Sequence, residues 1–224
     1  MEINKKRILI TGGCGGIGSA LLKLFAEKGS EVFSFDIKNP RKKIKNVKYF
    51  KIDVTKEKEI EKGLKKIGKF DILINNAGVL RRGTIFESSE KDFDSIVDVN
   101  LKGSWLMIKD SEKYLNKNGM IVQISSKHAL LLSPNPGIYA LSKDSAISLA
   151  EIVKNTNKHY KIKIVYSGPV ETPLANKGLS KEEISKRKKK RISPEEMASK
   201  ILKLIKSKKE ILQYNYEKNK YVFK

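Results

Sequence analysis

The 224-residue chain predicts an α/β fold, a single doubly wound domain over residues 1–224 whose mostly parallel sheet carries helices on both faces. Three observations lead there. Short apolar runs rich in β-branched and aromatic residues alternate with longer stretches whose apolar residues recur at intervals of three and four. Those stretches have the length that a crossover between parallel strands needs. A hydrophobic content of 39% over this length supports one substantial core and is thin for two.

The elements follow in order. "RILIT" (7–11) reads as a first strand, and it runs into Gly12, Gly13, Gly15, Gly16 and Gly18 before the amphipathic stretch "SALLKLFAEKG", which stops at Gly29. "EVFSFD" (31–36) and "VKYFKID" (47–53) are the next two strands, and "KEKEIEKGLKKIG" is the helix after them. "FDILINNAG" (70–78) is a fourth strand, followed by one long helix "DFDSIVDVNLKGSWLMIKDSEKYL". "GMIVQISS" (119–126), the helix "YALSKDSAISLAEIVKNT" and "IKIVYSG" (162–168) complete the alternation. Internal repeats and a linker dividing off a second domain are both missing from the pattern, and the one low-complexity patch is the lysine run near residue 190.

The glycine stretch between first strand and first helix is shaped for an anion. Glycine admits backbone angles closed to other residues, and without a β-carbon it lets a pyrophosphate approach the amides at a helix N-terminus. Eighteen residues after Gly18 the second strand ends in Asp36, where a carboxylate accepts both hydroxyls of an adenosine ribose. Loop and acid together point to a Rossmann-type dinucleotide site. Asp36 would repel the 2′-phosphate of NADP, and Gly15 stands where an NADP binder often carries a base, so NAD(H) is favoured. Lys38, Arg41, Lys42 and Lys43 follow closely enough to hold that phosphate, which keeps NADP(H) open.

At this point the chain resembles the short-chain dehydrogenase/reductase family. "TGGCGGIG" matches its TGxxxGxG loop, "NNAG" (75–78) its next landmark and "YALSK" (139–143) its YxxxK signature, in order and at family spacing, with similarity from about residue 6 to about 205. The resemblance implies a catalytic tetrad of Asn100, Ser126, Tyr139 and Lys143. It also implies a cofactor lying on Gly12, Gly13, Cys14, Gly15, Gly16, Ile17 and Gly18, its adenine at Asp53 and Val54. Asn76, Ala77, Gly78, Tyr139, Lys143, Gly168, Val170 and Thr172 would complete the cofactor contacts. Tyr139 would exchange the proton with the alcohol or carbonyl oxygen and Ser126 would hold that oxygen. Lys143 would tune Tyr139 and grip the nicotinamide ribose, and Asn100 would hold a water chain to Lys143. The expected activity is oxidoreduction between a secondary alcohol and a ketone on a small-molecule substrate. The alternative is a dinucleotide-sensing or nucleic-acid-binding protein on the same fold without turnover.

The chemistry stands independently of the resemblance. Tyr139 and Lys143 are four apart on an expected helix, share a face, and an ammonium beside a phenol is expected to lower its pKa from about 10. Cys14 reads as a spacer, His128 as a solvent-facing loop histidine, and Arg81, Arg82 and Trp105 as surface residues, although the arginines could attract an anionic substrate. From 174 to 192 runs a short basic insertion, expected as a mobile lid. Ser167 stands where the family has proline, and the tail 210–224 lacks the family's last-strand landmarks. A homo-oligomer is expected, with its interface left open by that tail.

The formal net charge is +22, but the basic runs are dispersed over 41–48, 62–69, 185–191 and 206–209, with few aromatics between them. Such a charge attracts anions in general and points only weakly to nucleic acid or an acidic carrier. With Cys14 the sole cysteine and His128 and His159 the two histidines, there is neither an internal disulfide nor a Cys/His metal set, so no metal is expected. The lack of a long apolar run and of a signal-type start predicts a cytoplasmic protein without a membrane span.

Overall fold

The computed structural model describes residues 2–40 and 42–224, so Arg41 of the basic cluster lies outside the described residues. Eight strands form one sheet: β1 (Arg7–Thr11), β2 (Glu31–Asp36), β3 (Val47–Lys51), β4 (Phe70–Asn75), β5 (Leu115–Ser126), β6 (Lys161–Ser167), β7 (Ile211–Asn215) and β8 (Lys220–Phe223). Their order is β3-β2-β1-β4-β5-β6-β7-β8, and every pairing is parallel except β7 with β8. Around the sheet lie α1 (Gly16–Glu27), α2 (Glu57–Ile67), α3 (Glu90–Val97), α4 (Gly103–Ser111), α5 (Lys127–Leu130), α6 (Gly137–Thr156), α7 (Pro173–Asn176), α8 (Lys181–Lys188) and α9 (Pro194–Lys206).

Alternation along the strands builds two cores. Ile8, Ile10, Ile72, Ile74, Met120 and Val122 point to one face, where Leu21, Leu22 and Phe25 of α1 and Met197, Ile201 and Leu204 of α9 cover them. Leu9, Phe33, Phe35, Leu73, Ile121 and Ile164 point to the other, under Ile60 and Leu64 of α2, Leu106 of α4 and Ile147 of α6. Burial on both faces explains why the central strands read as unbroken apolar runs. The doubly wound, mostly parallel sheet is therefore as expected. Among the described residues no helix is long and apolar enough to cross a membrane.

Three elements differ from the sequence reading. The long helix expected over 92–115 is α3 and α4 joined by a π-turn at Asp98–Lys102, and it ends at Ser111. Leu115 instead starts β5 by pairing with Phe70, and the register then shifts before Ile72 pairs with Met120. The tail without the usual landmarks still forms a strand, since β7 pairs with β6 and then folds back as the hairpin β7–β8. The basic insertion contains α7 and α8, and a bridge between Val170 and Ile192 closes its base.

Candidate active site

β1 and β4 are neighbours although the chain between them builds β2 and β3 on the opposite side of β1, so the strand order reverses here and a crevice opens above the carboxyl ends. The glycine turn leaves β1 on one side of this crevice. Gly12 has φ +66°, a left-handed conformation that only glycine adopts without strain. A methyl at Gly18 would stand 2.2 Å from the Gly12 carbonyl oxygen and 2.9 Å from Asn76 Nδ2, so helix and turn touch backbone to backbone. Asn76 ties the turn to β4, its Nδ2 donating to the carbonyls of Thr11 at 2.9 Å and Gly12 at 3.1 Å. Thr11 Oγ1 accepts from the amides of Asn76 and Ala77, both at 3.0 Å. Gly16, Ile17 and Gly18 form the first turn of α1, where the amides have no intrahelical acceptor and are able to receive an anion.

Asp36 lies at one end of this turn. Its Oδ2 accepts from the amide of Cys14 and its Oδ1 from that of Lys38, both at 2.9 Å. Burial first, and then Asp36, push the Cys14 thiol up to about 11, and its Sγ donates to the Lys38 carbonyl, so it is a poor nucleophile, as its reading as a spacer requires. Asp53 Oδ1 accepts from the amide and hydroxyl of Thr55, and Val54 is buried beside it. Backbone and side chains thus form a glycine-lined anion cradle with a fixed carboxylate at one end, which fits a dinucleotide.

The other wall comes from β5, the π-turn and α6. Ser126 ends β5, and Tyr139 and Lys143 project from α6, both buried. The Lys143 ammonium lies 5.9 Å from the Tyr139 ring centre and donates to the Ile124 carbonyl at 3.2 Å. A methyl at Gly78 would meet Lys143 Nζ at 3.1 Å and Asn100 Oδ1 at 3.2 Å, so the "NNAG" turn packs directly on this pair. Asn100 is fully buried: Oδ1 accepts from the Val79 amide at 2.8 Å, and Nδ2 donates to the Val79 carbonyl at 3.0 Å and to Ser142 Oγ at 2.9 Å. Both amide protons are thus committed to clamping the β4 loop onto α6.

One electrostatic expectation is corrected. Burial pushes Tyr139 up to about 12, with the Ser126 hydroxyl pulling the other way, and burial brings Lys143 down to about 8. Desolvation sets the direction at both groups, so in the protein alone the phenol is held more firmly protonated than an ordinary tyrosine. His128 is also corrected. It lies half-buried in α5, its ring 6.1 Å from that of Tyr139 and its Nδ1 2.9 Å from Ser133 Oγ. Burial, then Lys127, Arg82 and Arg187, bring its pKa down to about 4.

The segment after β6 reaches across to the glycine turn. A methyl at Gly16 would come 2.6 Å from Thr172 Cγ2, while Thr172 Oγ1 accepts from the Ala175 amide at 3.1 Å and caps α7. Gly168 backs onto the hairpin, where a methyl would meet Tyr221 Oη at 2.7 Å and Tyr214 Cβ at 2.8 Å. Val170 is buried. Arg82 donates to the carbonyls of Lys177 and Ala175 at 2.9 and 3.0 Å, and so straps α7 to the β4 side of the cleft, whereas Arg81 pairs with Asp92 at 3.5 Å. Trp105 is half exposed under the Lys109 ammonium. The sequence reading missed Arg191, which is buried against Glu171 at 2.9 Å, and Lys127, whose adjacency to Ser126 was the available signal.

A family model described as short chain dehydrogenase matches residues 6–183. An uncharacterized oxidoreductase of Thermotoga maritima is 34% identical over 178 residues, 73% of this chain and 70% of that protein. The 3-oxoacyl-(acyl-carrier-protein) reductase FabG of the same organism is 32% identical over 194 residues, 79% of each. Among solved structures, the ligand-free aldohexose dehydrogenase of Thermoplasma acidophilum superposes with a TM-score of 0.80 at 27% identity, covering 89% of this chain and 86% of that one. With a glycine turn at the strand reversal, a buried tyrosine and lysine facing it, and these matches, the chain belongs to the short-chain dehydrogenase/reductase family of oxidoreductases.

Proposed function

We propose that this chain is an NAD(H)-dependent oxidoreductase interconverting a secondary alcohol and a ketone on a small molecule, with Tyr139, Lys143, Ser126 and Asn100 as its working residues. The observation that carries this reading is the burial of the Tyr139 phenol and Lys143 amine together on α6, with Ser126 at the adjacent strand end. A phenol and an amine withdrawn from water raise the energy of the protein, and a proton-transfer site is a reason to hold them there. The dinucleotide, when bound, supplies or accepts the hydride. The amides of Gly16, Ile17 and Gly18 would hold its pyrophosphate, Asp36 its adenosine ribose, and Gly168, Val170 and Thr172 its nicotinamide end.

Tyr139 gives its proton to the ketone oxygen as that oxygen becomes an alkoxide, or takes the alcohol proton in the reverse direction. Tyr139 carries its proton at neutral pH, all the more firmly because burial pushes it up to about 12, so the resting group is ready to donate. Ser126 hydrogen-bonds the same oxygen and fixes its distance from the phenol. Lys143, when charged, stabilises the phenolate left behind. Asn100 holds the β4 loop against α6 and thereby sets the position of Lys143 beside Gly78. NAD is favoured over NADP by Asp36, and the lid, the single-domain organisation and a homo-oligomeric state belong to the same proposal.

The test is a screen of the purified protein against alcohols and ketones with NAD(H) and NADP(H), followed at the reduced-nicotinamide absorbance, with Tyr139→Phe in parallel. Turnover should appear and should fall by about a thousandfold in the variant, with dinucleotide binding retained. A variant keeping most of its activity would remove the assigned proton donor.

A further inference from the structure

The mouth of the cleft carries a charge that the proposed chemistry does not use. Lys127 follows Ser126 directly and is half-buried. Among the described residues no carboxylate stands within ion-pair distance of its ammonium, which instead lies 5.4 Å from the centre of the Tyr216 ring. Its neighbours are of like sign. Arg187 and Arg191 both act on Lys127, and Arg82 and Arg187 join Lys127 in acting on His128. Two of these cations have acidic partners: Arg191 has Glu171 at 2.9 Å, and Arg187 has Glu183 at 4.0 Å. Arg82 is hydrogen-bonded by carbonyl oxygens and also feels the Glu183 carboxylate, and the Lys127 head meets an aromatic face.

A surface lysine ordinarily extends into water, where its charge is solvated and its side chain free. Here the stem is half-buried beside Ser126, and the head lies against a ring. Tyr216 is held for this contact by the β7–β8 hairpin, in which Tyr214 stacks edge-on against Tyr216 at 4.9 Å and against Tyr221 at 5.1 Å. The hairpin that departs from the family pattern thus contributes a wall to the site. An arrangement with surplus positive charge, one residue from the group that would hold the reacting oxygen, is completed by an anion.

Resting on the oxidoreductase reading above, we infer that the substrate carries a carboxylate or phosphate group, received by Lys127 beneath Tyr216. The anion belongs to the small substrate itself and not to a macromolecular surface. Lys127 is half-buried beside Ser126 and the Arg191 side chain is only 6% exposed, so neither cation is open to a large partner.

Matched substrate pairs test this: 3-oxobutanoate and its methyl ester, 4-oxopentanoate and its methyl ester, and dihydroxyacetone phosphate and dihydroxyacetone. Each is reduced by the wild type, Lys127→Met and Tyr216→Leu with saturating NADH. The wild type should prefer the charged member of at least one pair by about tenfold or more in kcat/KM, through KM. That ratio should collapse toward one in Lys127→Met and fall less in Tyr216→Leu. A carboxylate preference and a phosphate preference separate the two sources. Equal or better use of every neutral member, or a preference that survives Lys127→Met, overturns the inference and leaves the oxidoreductase reading standing. Calorimetric titration of inorganic phosphate into the NADH-loaded protein supplies a readout without turnover. Binding lost in Lys127→Met supports the anion site even where no ketone is reduced, which would sink the activity reading alone; phosphate binding unaffected by the variant counts against the site.

Discussion

The two walls of the cleft are built on opposite principles. In the glycine turn, donors meet acceptors: Asn76 bonds Thr11 and Gly12, Asp36 bonds the amides of Cys14 and Lys38, and neighbouring backbone and side chains pack directly on the glycines. On the facing wall, Tyr139 and Lys143 are withdrawn from water with few partners, and burial moves both toward their neutral forms. The first wall is a product of packing, so changing it should damage the fold and the cofactor site together. The second is held against its own solvation energy, so changing it should damage chemistry while relieving the fold.

The largest expected effect is on that second wall. Lys143→Met should lower turnover by at least about a hundredfold, since the phenolate loses its neighbouring charge. It should also raise stability. A folded pKa of about 8 against an ordinary 10.5 means that the unfolded chain binds the proton more tightly, which amounts to about 3 kcal/mol at neutral pH. That penalty is present in full below pH 8 and fades as the pH climbs to 10.5, because the wild type gains stability as its amine loses the proton. Denaturant unfolding of both proteins at pH 7 and pH 10 measures it, and a variant less stable than wild type at pH 7 breaks the contrast between the walls.

Gly13→Val probes the first wall with the opposite sign. A β-carbon there would stand 2.2 Å from Ser34 Oγ and 2.8 Å from Leu22 Cδ1, inside the buried junction of β1, β2 and α1. Overpacking of this kind should destabilise the protein by about 3 kcal/mol, with a fall in Tm of roughly 10 °C, and should weaken NADH binding in step. A variant that melts like the wild type would show the turn to be pliable.

These contrasts explain which parts were legible in the sequence. Strand alternation, the glycine turn and the i, i+4 pair Tyr139 and Lys143 are local patterns, and local patterns survive folding unchanged. The sign of the pKa shift at Tyr139 was not legible, because it depends on how deeply residues distant in sequence bury the phenol. The same holds for the π-turn that seats Asn100, for His128 against Tyr139, and for Lys127 under a ring from the last hairpin. Each arises where two segments meet, and no single window of sequence contains both partners. The hairpin itself had a readable alternation in "ILQYN" and "KYVF", obscured by the missing family landmarks.

The smallest effect concerns the cofactor preference, where the two readings of the basic cluster divide. Asp36 accepts from the Cys14 amide of the glycine turn with one oxygen and from the Lys38 amide of the loop after β2 with the other, which fixes the carboxylate between them. Exposed Lys38, Lys42 and Lys43 stand nearby and are free to follow a phosphate. If the carboxylate governs the choice, Asp36→Ala should raise the NADPH-to-NADH ratio of kcat/KM by about tenfold or more, the order expected when a close like-charge repulsion is removed. Its structural consequence should be small, about 1 kcal/mol, because the amides of Cys14 and Lys38 it leaves behind are near enough to water to be resolvated. An unchanged ratio would mean that the lysines, and not the acid, set the preference, and the first wall would then discriminate by mobile surface charge instead of by the fixed geometry that holds the rest of it.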